Sequence, residues 1–598
     1  MSDWKLYDHR SIESIIGEYG EVPRPEHPRP DRVRANWLNL NGDWDFAFDP
    51  DDTGSPDSPL DGKIVVPFCP ESVISGVYDE ELHTICRYAR SFDVPENMQG
   101  KRILLHFGAV DYRTDVWLNG HHLGQRVGGY DSFSFDITDV VKPTGNRLAL
   151  RVHDDPLEAK PRGKQSAERY PSGCIYMRTT GIWQTVWLEA VGDTYIKDWR
   201  LIDNADSGEL TISAEIDGTC KDLSLTAVAS FSGKEAACGS VTVNQGKATL
   251  SISVPDARLW STDEPNLYDL HLSLNSADGG AVDSVATYFG FRKIEIKDGK
   301  IYLNNKPFFV ISALDQGYYP DGIYTPPTDD ALRADVEWAK KYGLNHVRKH
   351  QIVAEPRFHY WCDKLGLTIW AEMADWSADI VANLDGFLKE WTACVKRDIN
   401  HPCIIGWVPS NERKAYDDDA MNQAKVRLYE TTKALDPTRP VVDNSGYCHT
   451  KTDIVDLHVN PKDGKDVVRW WNDWRKSIAE TDNFMAWPNT PTYCDGFKHA
   501  GQPVVISETG NWWIKDHMPM GQWKPYGHDP ADNVDGYVSL YRDFFLAMMA
   551  EPECAGFSYV QLYDVEGEVN GYLTYDRKPK VSPEVIAEIH AAGLRSRL

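Results

Sequence analysis

Apolar and polar positions change their pattern twice along the chain. Over residues 1–193 they alternate in short runs, "LNGDWDFAFDP", "RILLHFGAVDYRTDVWLNGHHLG", "NRLALRVHDD" and "TVWLEAV", broken by Asn-Gly and Asp-Pro pairs. A period of two puts every second side chain on one face, which predicts antiparallel strands in a jelly-roll β-sandwich. "WLNGHHLG" predicts a hairpin closed by a type I′ turn at Asn119-Gly120. Residues 194–293 keep the alternation in runs such as "GELTISAEIDG" and "LSLTAVASFSG". About seven such signals in roughly 100 residues predict an immunoglobulin-like sandwich, with Trp260 as a packing residue.

From 294 to 598 near-continuous apolar runs alternate with amphipathic helical patterns. The runs are "FFVISALDQ", "LNHVRKH", "LTIWAEM", "IIGWVPSNE", "VVDNSG", "IVDLHV", "PVVISETG" and "GFSYVQLYD"; the helices include "DDALRADVEWAKKYG" and "ANLDGFLKEWTACVKRDI". Strands buried on both faces and separated by helices predict a (β/α)8 TIM barrel, whose C-terminal strand ends carry the functional groups. The fold class is therefore multidomain, all-β followed by α/β.

At 598 residues the chain exceeds what one core normally serves, in keeping with this division. Its 63 basic against 90 acidic side chains, a formal charge of -27, argue against nucleic acid or an anionic membrane as partner. No apolar run approaches the roughly 20 residues that span a bilayer. The start "MSDWKLYDHRSIESIIGEYG" lacks the pattern of a secretory leader, and the 11 cysteines include no CxxC pair. Both features predict a cytoplasmic protein with reduced thiols, so that a Cys220–Cys238 disulfide is not expected. No HExxH, Cys-His, EF-hand, GxGxxG or P-loop pattern occurs, which predicts neither a metal nor a cofactor. A homo-oligomer is compatible with all of this.

The chemistry lies where the apolar runs end. Asp315 and Gln316 close the first, Arg348 and His350 the second, Glu372 the third, Asn411 and Glu412 the fourth, His458 the sixth, Glu508 the seventh, and Gln561 and Asp564 the eighth. A buried carboxylate without compensation is costly, so Glu412 in "GWVPSNER" calls for a partner. Taken alone it would be a strand-end acid paired with Arg413. With Glu508 across the mouth, two carboxylates can flank one glycosidic bond, one as proton donor and one as the group meeting the oxocarbenium carbon. Such a pair must differ in protonation at neutral pH, and Arg348 is placed to keep one of them ionised.

"HPCIIGWVPSNE" and "PVVISETG" resemble the acid/base and nucleophile signatures of glycoside hydrolase family 2, the family of β-galactosidase, β-glucuronidase and β-mannosidase. "VWLNGHHLGQRVGGYDSFSFDIT" and "TTGIWQTVWLE" resemble its sugar-binding jelly roll. The resemblance implies Glu412 as acid/base, Glu508 as nucleophile, Asn411 on the sugar 2-hydroxyl and Arg348 orienting the nucleophile. It implies His350 and His458 lining the terminal-sugar subsite, and Trp512, Trp513 and Trp376 as apolar sugar platforms; Asp315, Gln316, Gln561 and Asp564 complete the expected substrate contacts. The activity implied is an exo-acting, retaining hydrolase of a small oligosaccharide or glycoside. Two departures stand out. Val408-Pro409-Ser410 replaces the Ser-Leu-Gly of many members, and "EVNGYLTYDRKPK" lacks the lysine two residues beyond Asn570 that completes the carboxylate-binding Asn-x-Lys element of β-glucuronidases. With Asp315, Asp321 and Asp564 nearby, a neutral, β-galactosidase-like sugar is expected ahead of a β-glucuronidase, β-mannosidase, arabinosidase or galactofuranosidase-like activity. The alternative from another class, a non-hydrolytic carbohydrate-binding protein, is disfavoured by the presence of both glutamates.

Overall fold

The computed structural model describes residues 22–414, 417–487, 490–517 and 530–597. The first sandwich packs a four-stranded sheet, in order Trp37–Asn39, Val186–Val191, Arg102–Phe107 and Phe133–Asp136, against a six-stranded one built around Ile85–Phe92 and Asn146–His153. Strand Arg113–Leu118 shows why: Thr114, Val116 and Leu118 are buried and their neighbours half-buried. The hairpin to His121–Val127 turns through Asn119 and Gly120, both in the left-handed region, as a type I′ turn requires. The second sandwich packs a three-stranded sheet on a four-stranded one, with Leu223, Leu225, Ala227 and Ala229 of Leu223–Phe231 facing inward. Trp260 is fully buried, and its indole N–H donates to the Asp363 carbonyl at 2.7 Å, tying this sandwich to the barrel helix Pro356–Leu365.

The barrel is a seven-stranded parallel sheet in the order Ile404–Val408, Thr368–Glu372, His346–Lys349, Val310–Asp315, Cys554–Val560, Val504–Gly510 and Val455–His458. The run expected as the fifth strand, "VVDNSG", forms only single bridges at Val441 and Ser445. Its side chains bond the backbone instead: Asp443 accepts from the Thr450 N–H at 2.6 Å, and the Asn444 amide oxygen from the Arg413 N–H at 2.9 Å. Asp and Asn compete with a ladder in this way. The segment still closes the barrel, through Val442 N–H to the Trp407 carbonyl (3.0 Å) and Ser445 N–H to the Ser410 carbonyl (2.9 Å). Helices flank the strands with conventional ends: Asp329–Lys341 is capped by Thr328, with acids in its first turn and lysines in its last. All cysteines are free, Cys220 and Cys238 included. Among the described residues no helix is long and apolar enough to cross a membrane.

Candidate active site

Strand Ile404–Val408 stops at Pro409, which has no N–H to continue a ladder, and the chain turns into the barrel mouth. Glu412 then adopts φ 54°, a left-handed conformation uncommon outside glycine. It is held there by its own N–H donating to the Ser445 carbonyl at 2.8 Å. Its Oε1 accepts from the Tyr447 hydroxyl and from His458 Nδ1, each at 2.8 Å. Across the mouth, Glu508 Oε1 lies 3.0 Å from Arg348 Nη1, 3.4 Å from His458 Nε2 and 3.6 Å from His350 Nε2. One carboxylate oxygen of each glutamate and a ring nitrogen of His458 lie within 4.8 Å of one another. That spacing would admit a cation, but Arg348 already brings its charge to Glu508. The two glutamate side chains are 28 % and 20 % exposed while Arg348 beneath them is fully buried, so both carboxylates face the opening.

Arg348 organises the floor. Its Nε donates to Glu372 at 2.7 Å, Nη2 to Asn411 Oδ1 at 2.6 Å and Nη1 to Glu508, so one planar fork fixes three site groups. Burial works against its charge, but Glu372 and Glu508 more than offset that and raise its pKa. Burial, reinforced by Arg348, drives His350 well below the usual histidine range, so its ring is neutral. Burial also raises Glu412, but the hydrogen bond and charge of His458, with Tyr447, outweigh it and hold the carboxyl well below its ordinary value. His458 moves the other way: burial lowers it, and Glu508 and Glu412 together raise it. Arg348 opposes this rise, its Nη1 standing 3.1 Å from His458 Nε2, and Glu412 and His458 form one hydrogen-bonded acid–base pair. Gly446 makes that contact possible, since a Cβ there would stand 2.8 Å from His458 Nδ1.

The other expected residues divide into two groups. Gln316 is buried with neither amide atom hydrogen-bonded among the described residues, and Gln561 Oε1 and Asn570 Oδ1 are in the same state. Buried amides without partners are costly and rare. Asp315 pairs with Lys349 at 2.8 Å and accepts from the Gly317 N–H at 2.9 Å; Asp564 pairs with Lys580 at 2.6 Å. Trp512 is buried against Phe544, Phe545 and Tyr559, whereas Trp376 is exposed. Arg413 faces Asp375 at 2.8 Å and not Glu412.

Sequence reasoning missed Tyr447, and it missed the contribution of the first sandwich. The segment around residues 162–177 leans over the mouth: Gly163 N–H donates to the Ala374 carbonyl at 3.1 Å and Met177 N–H to Glu566 at 3.0 Å. The Tyr176 hydroxyl donates to Glu568, 392 residues away, and Lys164 Nζ lies 3.5 Å from the same carboxylate. No local pattern links residues so far apart; the only available signal was a long polar stretch between two strand runs.

Two carboxylates face each other across the barrel mouth with a buried arginine and an amide between them, an arrangement of the kind that two-carboxylate glycoside hydrolysis uses. The chain belongs to glycoside hydrolase family 2. Three descriptions of that family match it: "Glycosyl hydrolase 2 galactose-binding domain-like" over residues 81–200, "Glycosyl hydrolases family 2" over 194–292, and "Glycosyl hydrolases family 2, TIM barrel domain" over 294–515. A β-galactosidase of Thermoanaerobacter pseudethanolicus is 29% identical over 378 residues, 60% of this chain and 49% of that protein. A putative β-glucuronidase of Formosa agariphila is 26% identical over 374 residues, 59% of this chain and 43% of that protein. The chain thus spans about half the length of the curated relatives it matches. Among solved structures, the β-glucuronidase of Bifidobacterium dentium superposes with a TM-score of 0.76 at 21% identity, covering 94% of this chain and 98% of that one. The family 2 β-galacturonidase of Eisenbergiella tayi does so with a TM-score of 0.71 at 20% identity, covering 96% and 98%. These two likenesses are of fold.

Proposed function

We propose that this chain is an exo-acting, retaining glycoside hydrolase that releases a terminal neutral sugar, β-galactosidase-like, from a small glycoside or oligosaccharide. The observation that carries the mechanism is the approach of the two carboxylates, whose nearest oxygens lie within 4.8 Å. Retaining enzymes hold their carboxyl groups about 5–5.5 Å apart, inverting ones about 6.5–9.5 Å. Glu508, fixed by Arg348, attacks the anomeric carbon while Glu412 protonates the departing oxygen. Water then enters, loses its proton to Glu412, and displaces Glu508 from the sugar with a second inversion. Asn411, oriented by Arg348, donates its amide N–H to the 2-hydroxyl. The sandwich segment over the mouth supports an exo mode, because it walls one side of the opening.

A neutral sugar is supported by charge matching. Four cations around the mouth face a carboxylate: Arg348 Glu372 and Glu508, Lys349 Asp315, Arg413 Asp375, Lys580 Asp564. The free and mostly buried thiols support action in a reducing cytoplasm. Residues 1–193, 194–293 and 294–598 are the units we assign, with the third as catalytic. A panel of nitrophenyl glycosides, with NMR of the first-formed anomer, tests the proposal. Release from β-galactoside with retention is expected, and Glu508→Gln should abolish it without loss of fold; an inverted first anomer or an active Glu508→Gln would sink it. One observation favours a second reading, a β-uronide substrate: Lys164 Nζ makes no hydrogen bond among the described residues and sits only loosely by Glu568. In that case β-glucuronide or β-galacturonide is the substrate cleaved, and Lys164→Met selectively raises its KM.

A further inference from the structure

Strands Val455–His458 and Val504–Gly510 run side by side, and their pairing slips by one residue beside the site. Leu457 faces Ile506 and His458 faces Glu508, so Ser507 is left out of the ladder as a bulge. Bulges next to active sites re-aim a side chain, and Ser507 is buried in the barrel interior. Asp456 and His458 are two apart on one strand and so share a face; Asp456 is fully buried.

The result is an unbroken line of hydrogen bonds behind Glu412. Its Oε1 meets His458 Nδ1 at 2.8 Å, and His458 Nε2 lies 3.1 Å from Ser445 Oγ. Ser445 Oγ is 3.3 Å from Ser507 Oγ, and the Ser507 hydroxyl donates to Asp456. Asp456 has this one side-chain hydrogen bond, its second oxygen having none among the described residues.

Counting protons sets the direction of the line. A serine hydroxyl has one proton and two acceptor lone pairs. With its proton given to Asp456, Ser507 can only accept, from Ser445 and from Arg348 Nη1 at 3.4 Å. Ser445 then donates to Ser507, which leaves its Oγ to accept from His458. Arg348 is compatible with this, since its two Nη1 protons serve Glu508 at 3.0 Å and Ser507. The tautomer of an imidazole is set by the bond its other nitrogen makes. We infer that Asp456, Ser507 and Ser445 are positioning residues that hold a permanent proton on His458 Nε2, so that Nδ1 alone exchanges a proton with Glu412. This rests on the reading of Glu412 as acid/base. The titratable and charged groups facing the ring are Glu412, Tyr447, Arg348 and Glu508, with His350 and Glu372 adjoining the last two. Ser445 is a nearer acceptor for Nε2 than Glu508 at 3.4 Å, so the line also keeps the imidazole proton off the nucleophile.

Nitrogen NMR of the full chain carrying ring-labelled histidine tests this, the His458 signals being identified by their loss in His458→Asn. In the wild type, Nε2 is expected to keep its proton between about pH 5 and pH 9 while Nδ1 titrates. In Ser507→Ala the neutral ring should become a mixture of tautomers, and kcat on a nitrophenyl glycoside should fall about fivefold at unchanged KM, the worth of one neutral hydrogen bond. Ser507→Thr keeps the hydroxyl and should restore both. Asp456→Asn should act as Ser507→Ala does, because its amide can donate to Ser507 and reverse the line. A neutral wild-type ring with its proton on Nδ1 overturns the proposal, as does a wild-type tautomer in the folded Ser507→Ala and Asp456→Asn. The wild-type spectrum decides alone if a thermal melt shows that the variants do not fold. A wild type that cleaves no glycoside would overturn the hydrolase reading, while the spectra still decide the tautomer.

Discussion

For the first step of the proposed mechanism, Glu412 is held toward the less useful of its two protonation states. A general acid must carry a proton, yet Tyr447 and His458 both donate to its Oε1 and stabilise the carboxylate. The contradiction resolves if acid and imidazole act as one unit sharing a proton, because His458 is raised while Glu412 is depressed. The unit loses its proton only as pH rises through the raised value of His458, and that loss sets the alkaline limb of kcat/KM. In His458→Asn the proton must sit on Glu412 itself, which burial raises and Tyr447 lowers, and the limb moves to lower pH; a profile unchanged from wild type would remove His458 from the acid–base set. Arg348→Lys tests the floor at the same scale. A point charge cannot serve Glu372, Asn411 and Glu508 together, so kcat should fall by about 10²–10³, the usual cost of one lost electrostatic contact in a transition state. A purely structural arginine would lower thermal stability and leave kcat of the folded fraction intact.

At the scale of elements, alternation and continuous apolar runs identify both sandwiches and the barrel, because inward positions such as Val116 and Leu225 follow the period their burial demands. The strand-end positions of Glu412 and Glu508 were legible for the same reason: a polar ending on a buried strand is visible in one dimension. Residues 441–446 escaped, since their apolar start resembles a strand while Asp443 and Asn444 divert the backbone into side-chain bonds. That irregular segment is what lets Gly446 and Tyr447 meet His458 and Glu412. Gly446, at φ 107° with His458 against its missing Cβ, cannot take a side chain without moving the imidazole. Gly446→Ala should therefore destabilise the fold by about 1–3 kcal/mol and shift the alkaline limb as His458→Asn does, measured by chemical denaturation and pH–rate profiles; a loss of stability with an unmoved profile would separate the two roles.

At the scale of the whole molecule, the mouth is completed by two parts of the chain that no short-range pattern connects, the sandwich segment around Met177 and the loop after strand Cys554–Val560. Their seam runs through Glu566, which is buried and accepts from the Met177 N–H at 3.0 Å. Burial raises its pKa to about 8, the Met177 bond only partly opposing this and Glu80 adding to it. A carboxyl whose folded value exceeds its unfolded one contributes stability that is fully present below the unfolded pKa, near 4.5, and is lost as pH rises through the folded value of about 8. Docking of the first sandwich on the barrel should thus weaken over that window. Glu566→Gln keeps an acceptor for Met177 and removes the charge, so its melting temperature should depend less on pH than that of the wild type between about pH 5 and pH 9. Hydrogen exchange of residues 162–177 locates the effect, with faster exchange at high pH expected in the wild type and little change in the variant. Parallel pH dependence of the two proteins, in melting and in exchange, would show that Glu566 does not govern the seam.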